Sequence, residues 1–406
     1  MQEKIKGSPT KQRNVLLDAL RGFALLGIAM ANFPEFSLWT FQSEDTLSAM
    51  PSAGADHIVL WMVTILVEGK FYTIFSVLFG IGFSLIISNA LRKGADGFRI
   101  FYRRMVLLTI IGLLHLLFLW SGDILLLYAL MGMLLPLFRH CSDRALLRWA
   151  FFFLLLPVGI SFFREMTEFS LARHAYNAWW NCCDYVGITE ENFGTWLRDA
   201  HTYGDMLLFL VQGAVERMWE FISGNRYFKV LGLFLIGYYI GRRRLFEHLD
   251  YHRHLLVQTA RIGFFAGFPL SVVYAWSSIQ GQPLGETIHS LLYLVSVYPL
   301  GLAYLSGLSL LYLRTRQAAI WQGLANPGRM ALTNYLLQSF IGVLLFYGIG
   351  LGWGASTSLW LTELIVVIVF LTQMLFSFLW FRRFLFGPLE WLWRMMTYGK
   401  RFPLKK

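Results

Sequence analysis

The sequence predicts an all-α, polytopic membrane bundle of about ten spans, with two further interfacial or re-entrant helices on its outer side. Two observations carry this. The apolar residues gather in long blocks, and the loops between the blocks alternate between basic and non-basic. Of 406 residues, 56% are hydrophobic and only 15% charged, whereas soluble domains carry about 25% charged residues. A spanning helix needs about 20 mostly apolar residues. Such blocks lie near 15–35, 56–90, 105–121, 124–139, 145–163, 204–241, 257–278, 288–312, 328–350 and 357–381.

Taken in order, the connections fix the sidedness. Lys4, Lys6, Lys11 and Arg13 precede the first block. Ala29-Met30-Ala31 looks like a small-residue cleavage site, but Asp18 and Arg21 interrupt the start of the apolar run and favour an uncleaved first span. The loop 36–55 carries Glu44 and Asp45 and neither Lys nor Arg. Arg92, Lys93, Arg99, Arg103 and Arg104 follow the second block, and only Asp123 lies in the turn after the third. Arg139, Arg144 and Arg148 come next, then the mixed loop 164–203, then Arg242, Arg243, Arg244 and Arg253. The loop 279–287 has only Glu286, Arg314 and Arg316 are next, 351–356 is uncharged, and Arg382, Arg383, Lys400, Arg401, Lys405 and Lys406 close the chain. Since cytoplasmic loops collect Lys and Arg, both termini are expected in the cytoplasm, after an even number of crossings.

Two blocks exceed one span. Residues 56–90 break at Gly69-Lys70 and 204–241 at Gly224-Asn225. Each is read as an outer-side helix followed by a full span, and Glu216 and Arg217 suit an interfacial position for the second. Three regions result: an N-terminal membrane region 1–163, an extracytoplasmic loop 164–203 rich in aromatics (Tyr176, Trp179, Trp180, Tyr185, Trp196), and a C-terminal membrane region 204–406. The loop aromatics read as an interfacial belt or as a binding lid. The formal charge of +11 sits in short clusters between apolar blocks, and with no basic aromatic platform the chain is not read as a nucleic-acid binder. Cys141, Cys182 and Cys183 have no metal-site spacing and are read as free thiols; no metal is expected.

Ionisable groups within spans are costly unless paired or hydrated, so each is a functional candidate. Asp18 and Arg21, at i and i+3, can pair on one face of the first span. Lys70 can snorkel to the headgroups or face a polar cavity. His115 lies roughly 15 Å along its helix from the inner basic cluster, near mid-membrane, as a buried structural His or a proton-transfer group. Asp123 is eight residues on, so contact with His115 requires the chain to turn back. In 326–339, Asn326 and Pro327 suit a helix start and Arg329 falls at the inner surface. Asn334 and Gln338 share a face, as helix–helix hydrogen-bonding groups or site residues. Glu363 and Gln373 read as structural. No Walker loop, dinucleotide fingerprint, zinc-protease helix or nucleophile elbow is present.

The stretches RNVLLDALRGFALLGI (13–28), GKFYTIFSVLFGIG (69–82), GLLHLLFLWSGDILLLYALMG (112–132), GRMALTNYLLQS (328–339) and GPLEWLWR (387–394) resemble the bacterial YeiB-like proteins, which carry a domain of unknown function numbered 418. The resemblance runs from Arg13 to Arg394 and implies that this domain occupies about 230–395. The N-terminal part is similar to membrane acyltransferases such as heparan-α-glucosaminide N-acetyltransferase. Those proteins share an Asp-x-x-Arg-Gly pattern, here Asp18, Arg21 and Gly22, and an Asn near the outer end of the first helix, here Asn32. The heparan enzyme places a functional His soon after that Asn. Phe33 through Ser43 contain none, so His115 would fill the role from another helix.

The resemblance implies a membrane acyltransferase in the bacterial inner membrane, moving an acyl group from cytosolic acyl-CoA to an outer-side glycan or lipid-linked acceptor. Arg21 and Arg329 would meet the donor's phosphates, and His115 would act as general base, oriented by Asp123. Asn32, Asn334 or Gln338 would hold an oxyanion, and the acceptor would lie near Lys70 and the 164–203 loop. A proton-coupled transporter using His115, Asp123, Lys70 and Asp18, and a non-catalytic lipid-binding protein, are the alternatives. Expected partners are the bilayer, the acceptor and, as an open question, a second copy in a homodimer.

Overall fold

Asn14 starts the first helix: its Oδ1 accepts the Leu17 N–H at 3.2 Å, filling one of the donors a helix start leaves open. The computed structural model describes residues 14–167 and 169–406, so the basic segment 1–13 lies outside the described residues. In chain order the helices are α1 (Val15–Phe36), α2 (Glu44–Ala49), α3 (Ala53–Leu66), α4 (Lys70–Leu91), α5 (Gly97–Phe118), α6 (Leu125–Leu134), α7 (Asp143–Thr167), α8 (Leu171–Val186), α9 (Glu190–Phe193), α10 (Trp196–Asp199), α11 (Tyr203–Ser223), α12 (Arg226–Arg242), α13 (Arg253–Ile279), α14 (Glu286–Arg314), α15 (Ala319–Arg329), α16 (Ala331–Phe346), α17 (Leu359–Arg383) and α18 (Pro388–Tyr398).

Among the described residues, seven runs of helix are long and apolar enough to cross a membrane, and an eighth is formed if α15 and α16, bent by 77°, count as one broken span. The chain is an all-α integral membrane protein. In α6 and α12, shorter helices, apolar faces are buried against neighbours: α12 packs on α4 and α7, and α6 on α5.

The helix ends collect at two poles. One pole gathers the arginine-rich connections: Arg242 donates to the Cys141 carbonyl at 2.8 Å and pairs with Asp143 at 3.1 Å, and the Trp393 indole donates to the Arg104 carbonyl at 3.3 Å. The other pole holds α2 and α8 to α11. There the buried face of α11 (Met206, Phe209, Leu210, Gly213, Arg217) recurs every three or four residues, and Leu208, Val211 and Met218 are exposed. One face of α11 is thus packed into the bundle and an apolar face is left outward. Its break falls at Gly224 and Asn225, where Asn225 turns to φ 50°.

The other long block behaves differently. It divides at Gly69, whose φ of 74° suits glycine. Yet α3 runs on into α4 without a sharp bend: residues 53–91 form one apolar run, and α3 packs along α13 and α17. Hydropathy measures how much apolar chain there is, not whether it bends.

A second difference lies before α16. Asn326 and Pro327 do not start the span; they sit inside the last turn of α15, and the break comes at Met330 (φ −124°). Glu390 of α18 supplies the start instead, accepting the Thr333 N–H at 3.0 Å and the Thr333 hydroxyl at 2.6 Å. A carboxylate is favoured at that positive helix end.

The N- and C-terminal membrane regions share one interior. In the tightest contact α1 meets α15 backbone to backbone: a Cβ on Gly22 would lie 1.9 Å from the Leu324 carbonyl oxygen, and one on Gly328 1.9 Å from that of Asp18. Only glycines permit this approach. It seats Asp18 and Arg21 against the α15–α16 bend.

Candidate functional site

Three cavities follow one another through the bundle. The first, about 1000 Å³, opens at the arginine-rich pole and is lined by Asp18, Arg21, Asp250, Arg316 and Arg394 among others. The second, about 450 Å³, shares Arg21, Leu85 and Arg394 with it and adds Arg104, Arg329, Glu390 and a sleeve of Leu, Ile, Phe and Met. The third, about 650 Å³, is a polar chamber reaching the other pole, lined by Asn32, Glu35, Glu68, Asp123, Arg164, Arg217, Glu220, Arg226, Lys229 and His289 among others. The second and third share Ile28, Phe75, Ile124 and Tyr128. These four side chains form the wall between them.

Each sequence-selected residue can be placed against these spaces. Arg21 donates to Asp18 at 2.8 Å, the predicted pair, and borders both cavities of the basic pole. Arg329 lines the second cavity, its guanidinium 3.7 Å from the centre of the Phe381 ring. Asn32 lines the polar chamber.

The turn after α5 does bring the chain back. Asp123 Oδ2 accepts from His115 Nδ1 at 2.8 Å, both side chains being almost wholly buried. Its Oδ1 accepts the Leu126 N–H at 2.7 Å, which holds the carboxylate at the start of α6. On the far side of the imidazole, Nε2 is 2.9 Å from Ser339 Oγ. Serine, histidine and aspartate are thus joined in the order of a nucleophile relay. Of the three, only Asp123 lines the chamber; His115 stands behind it and Ser339 deeper still.

Lys70 and the amides stand apart from the cavities. Lys70 is fully buried and does not snorkel: Nζ donates to the Thr64 carbonyl at 2.7 Å, filling an acceptor that the end of α3 leaves open. Its neighbour Glu68 faces the chamber instead. Asn334 donates to Ser377 and to the Pro327 carbonyl, both at 3.2 Å, and Gln338 donates to Gln373 at 2.9 Å. Gln373 returns a bond to the Asn334 carbonyl at 2.9 Å. These contacts tie α16 to α17. The aromatic loop is likewise engaged in packing: Trp179 stacks on Trp219 at 5.0 Å and donates to Gln212 at 2.6 Å, fastening α8 to α11.

Several site residues escaped the sequence reading. Glu35 faces the chamber one turn beyond Asn32. It accepts from Arg217 at 3.1 Å, and Arg217 also pairs with Glu220 and donates to the Ser121 carbonyl at 2.8 Å. Burial opposes the Arg217 charge, but the Glu220, Glu35 and Glu216 carboxylates outweigh it and hold the guanidinium's pKa above its ordinary value. Arg104, read as loop charge, and Arg394, which ends the GPLEWLWR stretch, both border the second cavity. Arg104 lies 4.0 Å from the Trp393 ring centre and Arg394 4.9 Å from that of Phe402. Among the described residues, no group of three or more His, Cys, Asp and Glu side chains is placed to hold a metal ion.

A family model described as a protein of unknown function, DUF418, matches residues 240–400. Over nearly its whole length the chain is also similar to three bacterial proteins described as uncharacterized. It is 29% identical to YxaH of Bacillus subtilis strain 168, covering 98% of this chain and 97% of the relative. It is 31% identical to the 39.9 kDa protein in the amylase 3′ region of Bacillus acidopullulyticus, covering 96% and 94%. It is 28% identical to YeiB of Escherichia coli K12, covering 95% and 96%.

Proposed function

The chain belongs to the YeiB-like family that carries the DUF418 region, and from that premise we propose that it is a membrane acyltransferase. Acyl-CoA enters from the cytoplasmic side and the acceptor, a glycan or lipid-linked molecule, from the outer side. The observation that carries this reading is the shared wall. An arginine-rimmed apolar cavity and a polar chamber meet at Ile28, Phe75, Ile124 and Tyr128, with Asp123 beside that wall on the chamber side.

In this reading ten helices cross the bacterial inner membrane: α1, α4, α5, α6, α7, α12, α13, α14, α16 and α17. The arginine-rich pole is cytoplasmic, with both termini on that side. Arg21, Arg104, Arg329 and Arg394 suit the donor's phosphates, since guanidinium forks match phosphate oxygens. The apolar sleeve suits the rest of the carrier and the acyl chain.

The acceptor's hydroxyl or amine attacks the thioester carbonyl at the wall. A new C–O or C–N bond forms, the C–S bond breaks, and the acceptor's proton passes to the Asp123–His115 pair and on to the departing thiolate. Asp123 is the group facing the acceptor, and His115 and Ser339 orient and polarise it. General acid–base help of this kind is worth about a hundred- to ten-thousand-fold.

The test is thiol release and acyl transfer by the full chain in nanodiscs, with acyl-CoA and a panel of outer-side acceptors. Acceptor-dependent CoA release is expected. Absence of both acyl-CoA binding and turnover would overturn the reading. The alignment of cavities from pole to pole favours transport as the second reading, and solute flux into proteoliposomes without CoA release would establish it.

A further inference from the structure

The carboxylates of the chamber are mostly committed. Glu286 pairs with Arg164. Glu35 and Glu220 share Arg217, Asp123 holds His115, and Glu68 accepts the Tyr274 hydroxyl at 3.0 Å. Three basic side chains on α12 and α14 are left with weaker engagements. Arg226 is 3.8 Å from Glu220, whose charge Arg217 already meets. Among the described residues Lys229 has no carboxylate within ion-pair distance; its ammonium stands 4.0 Å over the Tyr293 ring, with Glu68 the facing acid at longer range. His289 Nδ1 is bonded to the Ser277 hydroxyl at 3.0 Å, and among the described residues Nε2 has no bonded partner.

These three groups form a continuous surface. Tyr293 carries Lys229 and lies 5.6 Å from Tyr274, Tyr274 lies 5.0 Å from the His289 ring, and the Tyr72 hydroxyl reaches the Arg226 carbonyl at 3.4 Å. An under-compensated cation in a partly desolvated chamber is costly unless a ligand meets it. Lysine and arginine converging with a histidine suit a phosphate, and a tyrosine-lined wall suits a polyol or sugar beside it.

We propose that Lys229, Arg226 and His289 form the recognition site for the phosphate of a phosphorylated polyol or glycan. This deepens the reading of the chamber as the acceptor side and rests on it. The phosphate has two sources, a lipid headgroup or a soluble ester.

The experiment uses the full chain in maltoside micelles and compares two probe pairs. Phosphatidylglycerol against diacylglycerol, read by native mass spectrometry, reports the lipid source. Glycerol 3-phosphate against glycerol, read by calorimetry, reports the soluble one. The wild type is expected to prefer the phosphorylated member of at least one pair tenfold or more. Lys229→Gln is expected to lose that preference and Lys229→Arg to keep most of it, each variant eluting as the wild type does.

Equal binding by wild type and Lys229→Gln, or no preference in either pair, would overturn the proposal. Acyl transfer is measured separately. Transfer without phosphate preference removes this inference and leaves the enzyme reading, whereas phosphate preference with neither acyl-CoA binding nor transfer removes the enzyme reading.

Discussion

His115 and Asp123 are bonded at 2.8 Å although eight residues separate them, because α5 stops at Phe118 and the chain folds back over its last turn. The carboxylate faces the chamber and the imidazole backs it. Asp123→Asn is therefore expected to lower acyl transfer about a hundred- to ten-thousand-fold while the protein still purifies as a single species. Turnover within threefold of wild type would remove Asp123 from the reaction.

Arg394 borders both cavities of the basic pole. Arg394→Gln is expected to raise the KM for acyl-CoA about tenfold with a smaller change in kcat, since a group that holds the donor's phosphates alike in ground and transition states acts on binding. Initial rates across a donor series check this, and a fall in kcat at constant KM would contradict it.

The α1–α15 contact gives a test of packing alone. Gly328→Ala puts a methyl 1.9 Å from the Asp18 carbonyl oxygen, and separating two helices to admit it is expected to cost about 1–3 kcal/mol or more. Gly82→Ala, where a Cβ meets nothing within 4 Å, is the control. Thermal denaturation in detergent should separate the two variants clearly.

Glu216 on α11 carries a pH signature. Burial, with Glu220 and Glu35 nearby, raises its pKa to about 8, so the folded chain holds a proton there that the unfolded chain has already lost. Between the ordinary carboxylate value of 4.5 and about 8, stability falls as pH rises, and above that range the penalty is complete. Glu216→Gln should match the wild type near pH 4 and melt higher above pH 8. Parallel melting curves across that range would refute the assignment.

The chain's helical breaks and its local pairs were legible before any coordinates. Gly69 and Gly224-Asn225 interrupt apolar blocks too long for one span, and Asp18 and Arg21 sit one turn apart on a helix. Even the His115–Asp123 contact was conditional only on a reversal of the chain. What was illegible depended on the packing of distant segments. Arg104 and Arg394 are 290 positions apart and meet at one cavity only because α18 folds under α5. Glu35 passed unremarked at the end of the first apolar block, because its partner Arg217 comes from the far half of the chain. Lys70 looked like a surface anchor because its partner is a backbone carbonyl, and carbonyls leave no mark in a sequence.

The wall of Ile28, Phe75, Ile124 and Tyr128 has an energetic consequence for the cell. A bacterium stores work as an ion gradient, and any aqueous pore dissipates it. Under the proposed reading, two cavities that meet at these four side chains would let a covalent group change sides without a continuous aqueous pore. The costly carrier would then be released on the side where it is recharged, and only the acyl group would be exported.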